Sequence, residues 1–140
     1  MKTVFTKIIN RELPAYIIWE DEEVISFLPK ANFMNKGHIL VVPKVQVDHI
    51  FDLDDEIYHK LWSVAKLLAK PLKRLTKAKR IGIGVEGFSV PHVHIHLTPL
   101  FNQSELDPHR DVFWSIKERE EFVEEMKKLI DYNDGKENNI

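Results

Sequence analysis

"VPHVHIHLTPL", residues 90–100, places a histidine at every second position: His92, His94 and His96. With seven histidines in 140 residues, three chosen positions are all histidine with a chance of roughly 10⁻⁴, or about two per cent over every register of the chain. A period of two is the period of a β-strand, so the three imidazoles share one face. Val93, Ile95 and Leu97 make the opposite face uniformly apolar, as in a sheet strand with a core on one side.

The flanking sequence supplies the rest of such a sheet. "KRIGIGV" puts Ile81, Ile83 and Val85 on one side and Gly82 and Gly84 on the other; those glycines mark either crowding by a packed neighbour or a close approach to the backbone on that face. Residues 15–19 and 24–28 are short β-rich runs around the acidic residues 20–23, a hairpin with a four-residue turn. "GHILVVPK" is a further strand, closed by Pro43, which has no N–H for a ladder.

Between these strands lies a long helix. Ile57, Leu61, Val64, Ala65, Leu68, Leu72 and Leu75 form one apolar stripe. Asp52 and Asp54 are capping candidates, and the acidic opening suits a helix N-terminus. Pro71 lacks the N–H for the Leu67 carbonyl, but the stripe keeps register past it, which predicts a helix from Asp54 to about Lys77 with a bend and not an end. A second helix follows Ser115, which stands in capping-box spacing to Glu118; the polar end beyond Asp131 is expected to fray. The sum is an α+β fold: a five-stranded antiparallel sheet with one long and one C-terminal helix.

Length and composition agree with one domain over residues 1–140, with residues 101–140 as a C-terminal extension. The chain has no cysteine, which excludes disulfides and thiolate zinc sites. A net charge of −2 argues against a stable nucleic-acid binder. No apolar run is long enough to cross a membrane and no signal peptide is legible, so the expected location is cytoplasmic.

Three chemistries compete for the histidine face. It is either a polar strand face, a metal site or a catalytic centre; His49, His59 and His109 are read as ordinary surface histidines. On a straight strand the β-carbons of His92 and His96 stand roughly 13 Å apart. Two imidazoles and their metal bonds span about 11 Å at best, so a single ion would need a bulge or outside ligands. Nucleophilic catalysis on phosphorus fits better. A neutral imidazole attacks near pH 7 if one ring nitrogen is kept protonated and the other free, while its neighbours donate to phosphoryl oxygens and the leaving group.

"HVHIHLT", residues 92–98, resembles the signature of the histidine triad (HIT) family, three histidines alternating with apolar residues, except that Thr98 fills the last apolar slot. "FTKIINRELPAYIIWEDEEVISFL", "GHILVVPK", "DHIFDLDDE" and "EGFSVPHVHIHLTP" extend the resemblance over about residues 5–100. The resemblance implies a nucleotide-binding α+β fold whose sheet continues across a homodimer. It implies a phosphoramidase or nucleotidyl hydrolase, or alternatively a dinucleoside polyphosphate hydrolase or a nucleotide-binding signalling module. The nucleotidyl group would be carried by His94, with His96 on phosphate and leaving group and His92 and His38 completing the cluster. The partner would be a nucleoside monophosphate-type small molecule, bound through Asn32, Gly87, Phe88 and Ser89, with no metal or other cofactor.

The departures concern the nucleoside. Phe88 stands where many members have glutamine before the serine or threonine, and Glu86 lies beside that position. "LPKANFMNK" replaces the acidic ribose-binding stretch, leaving Asn32 as the nearest polar substitute, and "PKVQ" with Gln46 replaces a Pro-Lys-x-His.

Overall fold

Asp21 organises the first hairpin: its Oδ1 accepts from the amides of Glu23 (2.8 Å) and Val24 (2.9 Å), and its Oδ2 pairs with Lys60. The acidic turn is therefore held by local hydrogen bonds. The hairpin joins β1 (Ile17–Glu20) to β2 (Val24–Phe27), with a register shift between Ile17 and Trp19. β3 (Ile39–Pro43) follows, then α2 (Asp55–Thr76), β4 (Arg80–Gly84), β5 (Ile95–Leu100) and α3 (Ile116–Asn138), with α1 (Val4–Ile9) ahead of them all. All neighbours are antiparallel, in the order β1-β2-β3-β5-β4. The computed structural model describes residues 1–131 in full and the backbone of α3 to Asn138. The fraying expected beyond Asp131 lies outside the fully described residues.

The sheet has two packed faces. On one, Val24, Ile39, Val41, Ile95 and Leu97 meet Leu61, Leu68 and Leu72 of α2 and Met126 of α3 in the main core. Full burial of each such leucine is worth roughly 1.5–3 kcal/mol. α2 runs unbroken through Pro71, as its continuous stripe predicted, and ends with Lys77 at φ 60°. On the other face, Phe5 and Ile8 of α1 cover Ile25, Phe27, Leu40 and Val42. His96 pairs directly with Leu40 and so lies on this second face.

Several expectations are corrected. Among the described residues the helices are three, not two: α1 was not anticipated, nor was the 3-10 turn at Ile50–Asp52. Asp54 takes the N-cap position of α2 but makes no side-chain capping bond; the Ser115–Glu118 capping box does form, in both directions. β1 begins and ends later than residues 15–19. Most consequential, only His96 lies within β5; His92 and His94 precede it. The Pro43 carbonyl, at the end of β3, accepts from the His92 ring (2.8 Å), and the Val93 amide turns to the Val47 carbonyl (2.8 Å). The ladder stops where a side chain takes its acceptor. At Gly82, a β-carbon would stand 2.6 Å from Leu100 Cδ1 and 3.3 Å from Leu106 Cδ1, so crowding by the chain's own side chains accounts for it.

Candidate active site

Four histidines that the sequence spreads over 59 positions (residues 38–96) meet on the α1 face of the sheet. His38 Nε2 and His96 Nδ1 are 2.9 Å apart, and the rings of His94 and His96 stand 4.8 Å between centroids, edge to face. His92 and His94 are buried, against the ring of Phe5 at 5.7 and 4.9 Å. His38 is 2% exposed, while His96 is half-buried at the edge of the cluster.

The hydrogen bonds assign every ring proton, because a carbonyl only accepts and an amide only donates. His92 Nε2–H donates to the Pro43 carbonyl, so its Nδ1 accepts, and Thr3 Oγ1 donates to it at 2.9 Å. His94 Nδ1–H donates to the backbone carbonyl of His92 at 2.7 Å. The lone pair of His94 therefore sits on Nε2, which has no hydrogen-bond partner among the described residues. The Met34 amide donates to His38 Nδ1 at 3.1 Å, which puts the His38 proton on Nε2, aimed at His96 Nδ1. His96 then carries its proton on Nε2. A nucleophilic lone pair and a hydrogen-bond donor thus stand on neighbouring rings.

The electrostatics keep the cluster neutral. Burial pushes His38 down to about 3, aided by the nearby His96 and His94 rings. Burial, then His94, brings His96 to about 4. His92 and His94 are lowered by burial too, against the opposing pull of the carbonyls that accept from them. Near pH 7 all four are neutral, the form in which an imidazole attacks.

The expected nucleotide-binding residues are not joined to this cluster by hydrogen bonds among the described residues. Gly87, at φ 84°, Phe88, 92% exposed, and Ser89 lie on the loop between β4 and β5. Asn32, at φ 59°, is exposed on the β2–β3 connection. Gln46 anchors the first helix instead. Its Oε1 accepts from the Thr3 amide (3.2 Å) and Thr6 Oγ1 (2.6 Å), fastening α1 beneath His92. Sequence reasoning missed Thr3, Phe5 and the Met34 amide. Only the Thr3 capping position, whose Oγ1 accepts from the Thr6 amide, leaves a local trace of helix initiation.

Fold and site define an α+β protein with a cluster of neutral, directionally hydrogen-bonded histidines on one sheet face. The HIT domain family model matches residues 10–103. An uncharacterized HIT-like protein of Borreliella burgdorferi is 35% identical over 105 residues, covering 70% of this chain and 75% of its own. The Arabidopsis thaliana protein named adenylylsulfatase HINT1 is 37% identical over 106 residues, 68% of this chain and 69% of its own. The crystal structure of a zinc-bound histidine triad family protein from Mycobacterium smegmatis superposes with a TM-score of 0.80 at 26% identity, covering 96% of this chain and 97% of that one. The chain belongs to the histidine triad (HIT) family.

Proposed function

We propose that the protein is a nucleotide phosphoramidase or nucleotidyl hydrolase that works through a covalent nucleotidyl-His94. The observation that carries this is the His94 Nδ1–H bond to the His92 carbonyl, which commits the Nε2 lone pair to attack. In the first step Nε2 bonds to the α-phosphorus and the bond to the leaving group breaks, with the His96 Nε2–H hydrogen-bonding the phosphoryl group and leaving atom. In the second, water attacks phosphorus and the P–N bond to His94 breaks. One water is consumed: the leaving atom takes the His96 Nε2 proton in the first step, and in the second the water's hydroxyl ends on phosphorus while its remaining proton returns to His96 Nε2. Positioning and hydrogen bonding supply most of the acceleration. In this reading Ser89 and the Gly87 backbone bind the phosphate, and Asn32 and Phe88 contact the nucleoside. β4, an edge strand with Ile83 49% exposed, is where a homodimer would continue the sheet. A dinucleoside polyphosphate would meet the same chemistry with another leaving group, and a signalling module with little turnover has no need of a directed lone pair.

The activity is tested by following an adenosine phosphoramidate to AMP and amine. Turnover is expected to survive exhaustive chelation. The chain lacks cysteine, and the described residues contain no group of three or more histidine, aspartate or glutamate side chains placed to hold a metal. Loss on chelation with recovery on added zinc would favour a metal site. Ribose selection should be weak, because a carboxylate pairs two hydroxyls better than an amide does and no acid lies in residues 28–36. The kcat/KM ratio between matched ribo and deoxyribo substrates is expected at about tenfold or less, roughly 1.4 kcal/mol. A thousandfold preference would mean that another acid reaches the hydroxyls.

A further inference from the structure

The direction of the His38–His96 bond depends on one backbone amide. If Met34 N–H moved off His38 Nδ1, that nitrogen would be free to hold the proton itself. His38 Nε2 would then accept from His96 Nδ1–H, and the donor at His96 Nε2 would become a lone pair. The reverse arrangement is excluded only while the Met34 amide points at Nδ1, since two N–H groups would face each other.

What holds that amide comes from the segment after β5. The peptide between Phe33 and Met34 gives its N–H to His38, and its carbonyl accepts from the Val112 amide at 2.8 Å. The next peptide is held by Arg110, whose Nε donates to the Met34 carbonyl at 2.8 Å. The other end of the same guanidinium donates to Asn35 Oδ1 at 2.9 Å, and Asn35 Nδ2 donates to the Pro99 carbonyl in β5 at 2.8 Å. One planar, pre-organised fork thus ties the turn to the strand that carries His96. Trp114 packs edge-on to the Phe33 ring at 5.0 Å but makes no hydrogen bond to this turn.

We propose that Arg110 is a positioning residue for the histidine relay: by fixing the Met34 carbonyl, in the peptide next to the one that donates to His38, it keeps the His96 proton on Nε2, facing the substrate. This rests on the function proposed above, in which that donor serves phosphoryl transfer. Arg110 itself touches no reacting atom. The β2–β3 connection and the C-terminal extension are thereby one mechanical unit, and the extension contributes to chemistry and not to packing alone.

The test reads ring-nitrogen protonation directly, from ¹H–¹⁵N spectra of the histidine-labelled full chain without substrate. Wild type should show His38 and His96 protonated on Nε2 and His94 on Nδ1. In Arg110→Ala the His96 nitrogens should move toward the average of the two tautomers, with kcat falling about tenfold and KM changing less than twofold. Arg110→Lys, which reaches only one of the two acceptors, should fall between, and is read the same way if the alanine variant does not fold. Trp114→Phe should lower thermal stability while leaving the ring nitrogens at wild-type positions. A folded Arg110 variant with the wild-type pattern overturns the proposal, as does a Trp114→Phe variant that shifts like Arg110→Ala. Because the spectra need no substrate, a failure of the proposed hydrolysis is seen separately, in turnover.

Discussion

His94→Ala is expected to lower kcat on a nucleoside phosphoramidate by roughly 10⁴-fold or more while KM changes only a few-fold. A loss of 10⁴ corresponds to about 5.4 kcal/mol of transition-state stabilisation. The size follows from the role: alanine removes the atom that forms the covalent bond, and no neighbouring lone pair replaces it. His92 Nδ1 accepts from Thr3, His38 Nδ1 from the Met34 amide, and His96 Nδ1 from His38. The remaining Nε2 positions of those three rings carry protons. Residual activity within tenfold of wild type would mean that water, or another group, attacks phosphorus directly. Because His94 is buried against Phe5, the variant's melting temperature should be measured beside its rate, so that lost folding is not counted as lost chemistry.

Acidification should destabilise the protein well above the range in which carboxylates titrate. His38 and His96 are held at about 3 and about 4 from an ordinary 6.5, so below pH 6.5 the unfolded chain binds protons that the folded chain refuses. Their contribution is full above pH 6.5 and is lost as pH falls toward the folded values. At pH 5 each costs roughly 2 kcal/mol, about 4 kcal/mol for the pair, a sizeable part of a typical domain's 5–15 kcal/mol. Glu20 and Asp21, whose carboxyls are raised by burial but lowered on balance by the combined hydrogen bonds and charges of Arg11 and Lys44 on Glu20 and of Lys60 and the Glu23 and Val24 amides on Asp21, add their loss only below about pH 4.5. Urea midpoints at pH 7.5, 6 and 5 read the histidines alone. A flat midpoint across that interval would show that the cluster accepts protons in the folded state, and that its neutrality is not enforced by burial.

The parts of this molecule that repeat are the parts the sequence makes legible. The α2 stripe, the strand alternation and the Ser115–Glu118 box are local patterns, each with a period or a spacing. So is the triad, although only His96 lies within the strand: the period-two side-chain alternation continues through residues 92–94, beyond the last ladder pair of Val41 with Ile95. α1 escaped notice because six residues are too few for a helical period to declare itself. The hydrogen bonds that orient the imidazoles are illegible for another reason. Thr3 meets His92 across 89 positions and Arg110 meets Asn35 across 75, contacts made by topology and not by spacing. The glycines of β4 show the same limit, since Leu106, which crowds Gly82, lies in the next connection.

The stereochemical course at phosphorus tests the covalent role of His94 most directly. Each in-line displacement inverts the configuration, so attack by His94 followed by attack by water restores it. With a substrate made chiral at the α-phosphorus by sulfur and hydrolysed in isotopically labelled water, the product is predicted to retain the starting configuration. Inversion would mean a single displacement by water, and would contradict a nucleotidyl-His94 intermediate.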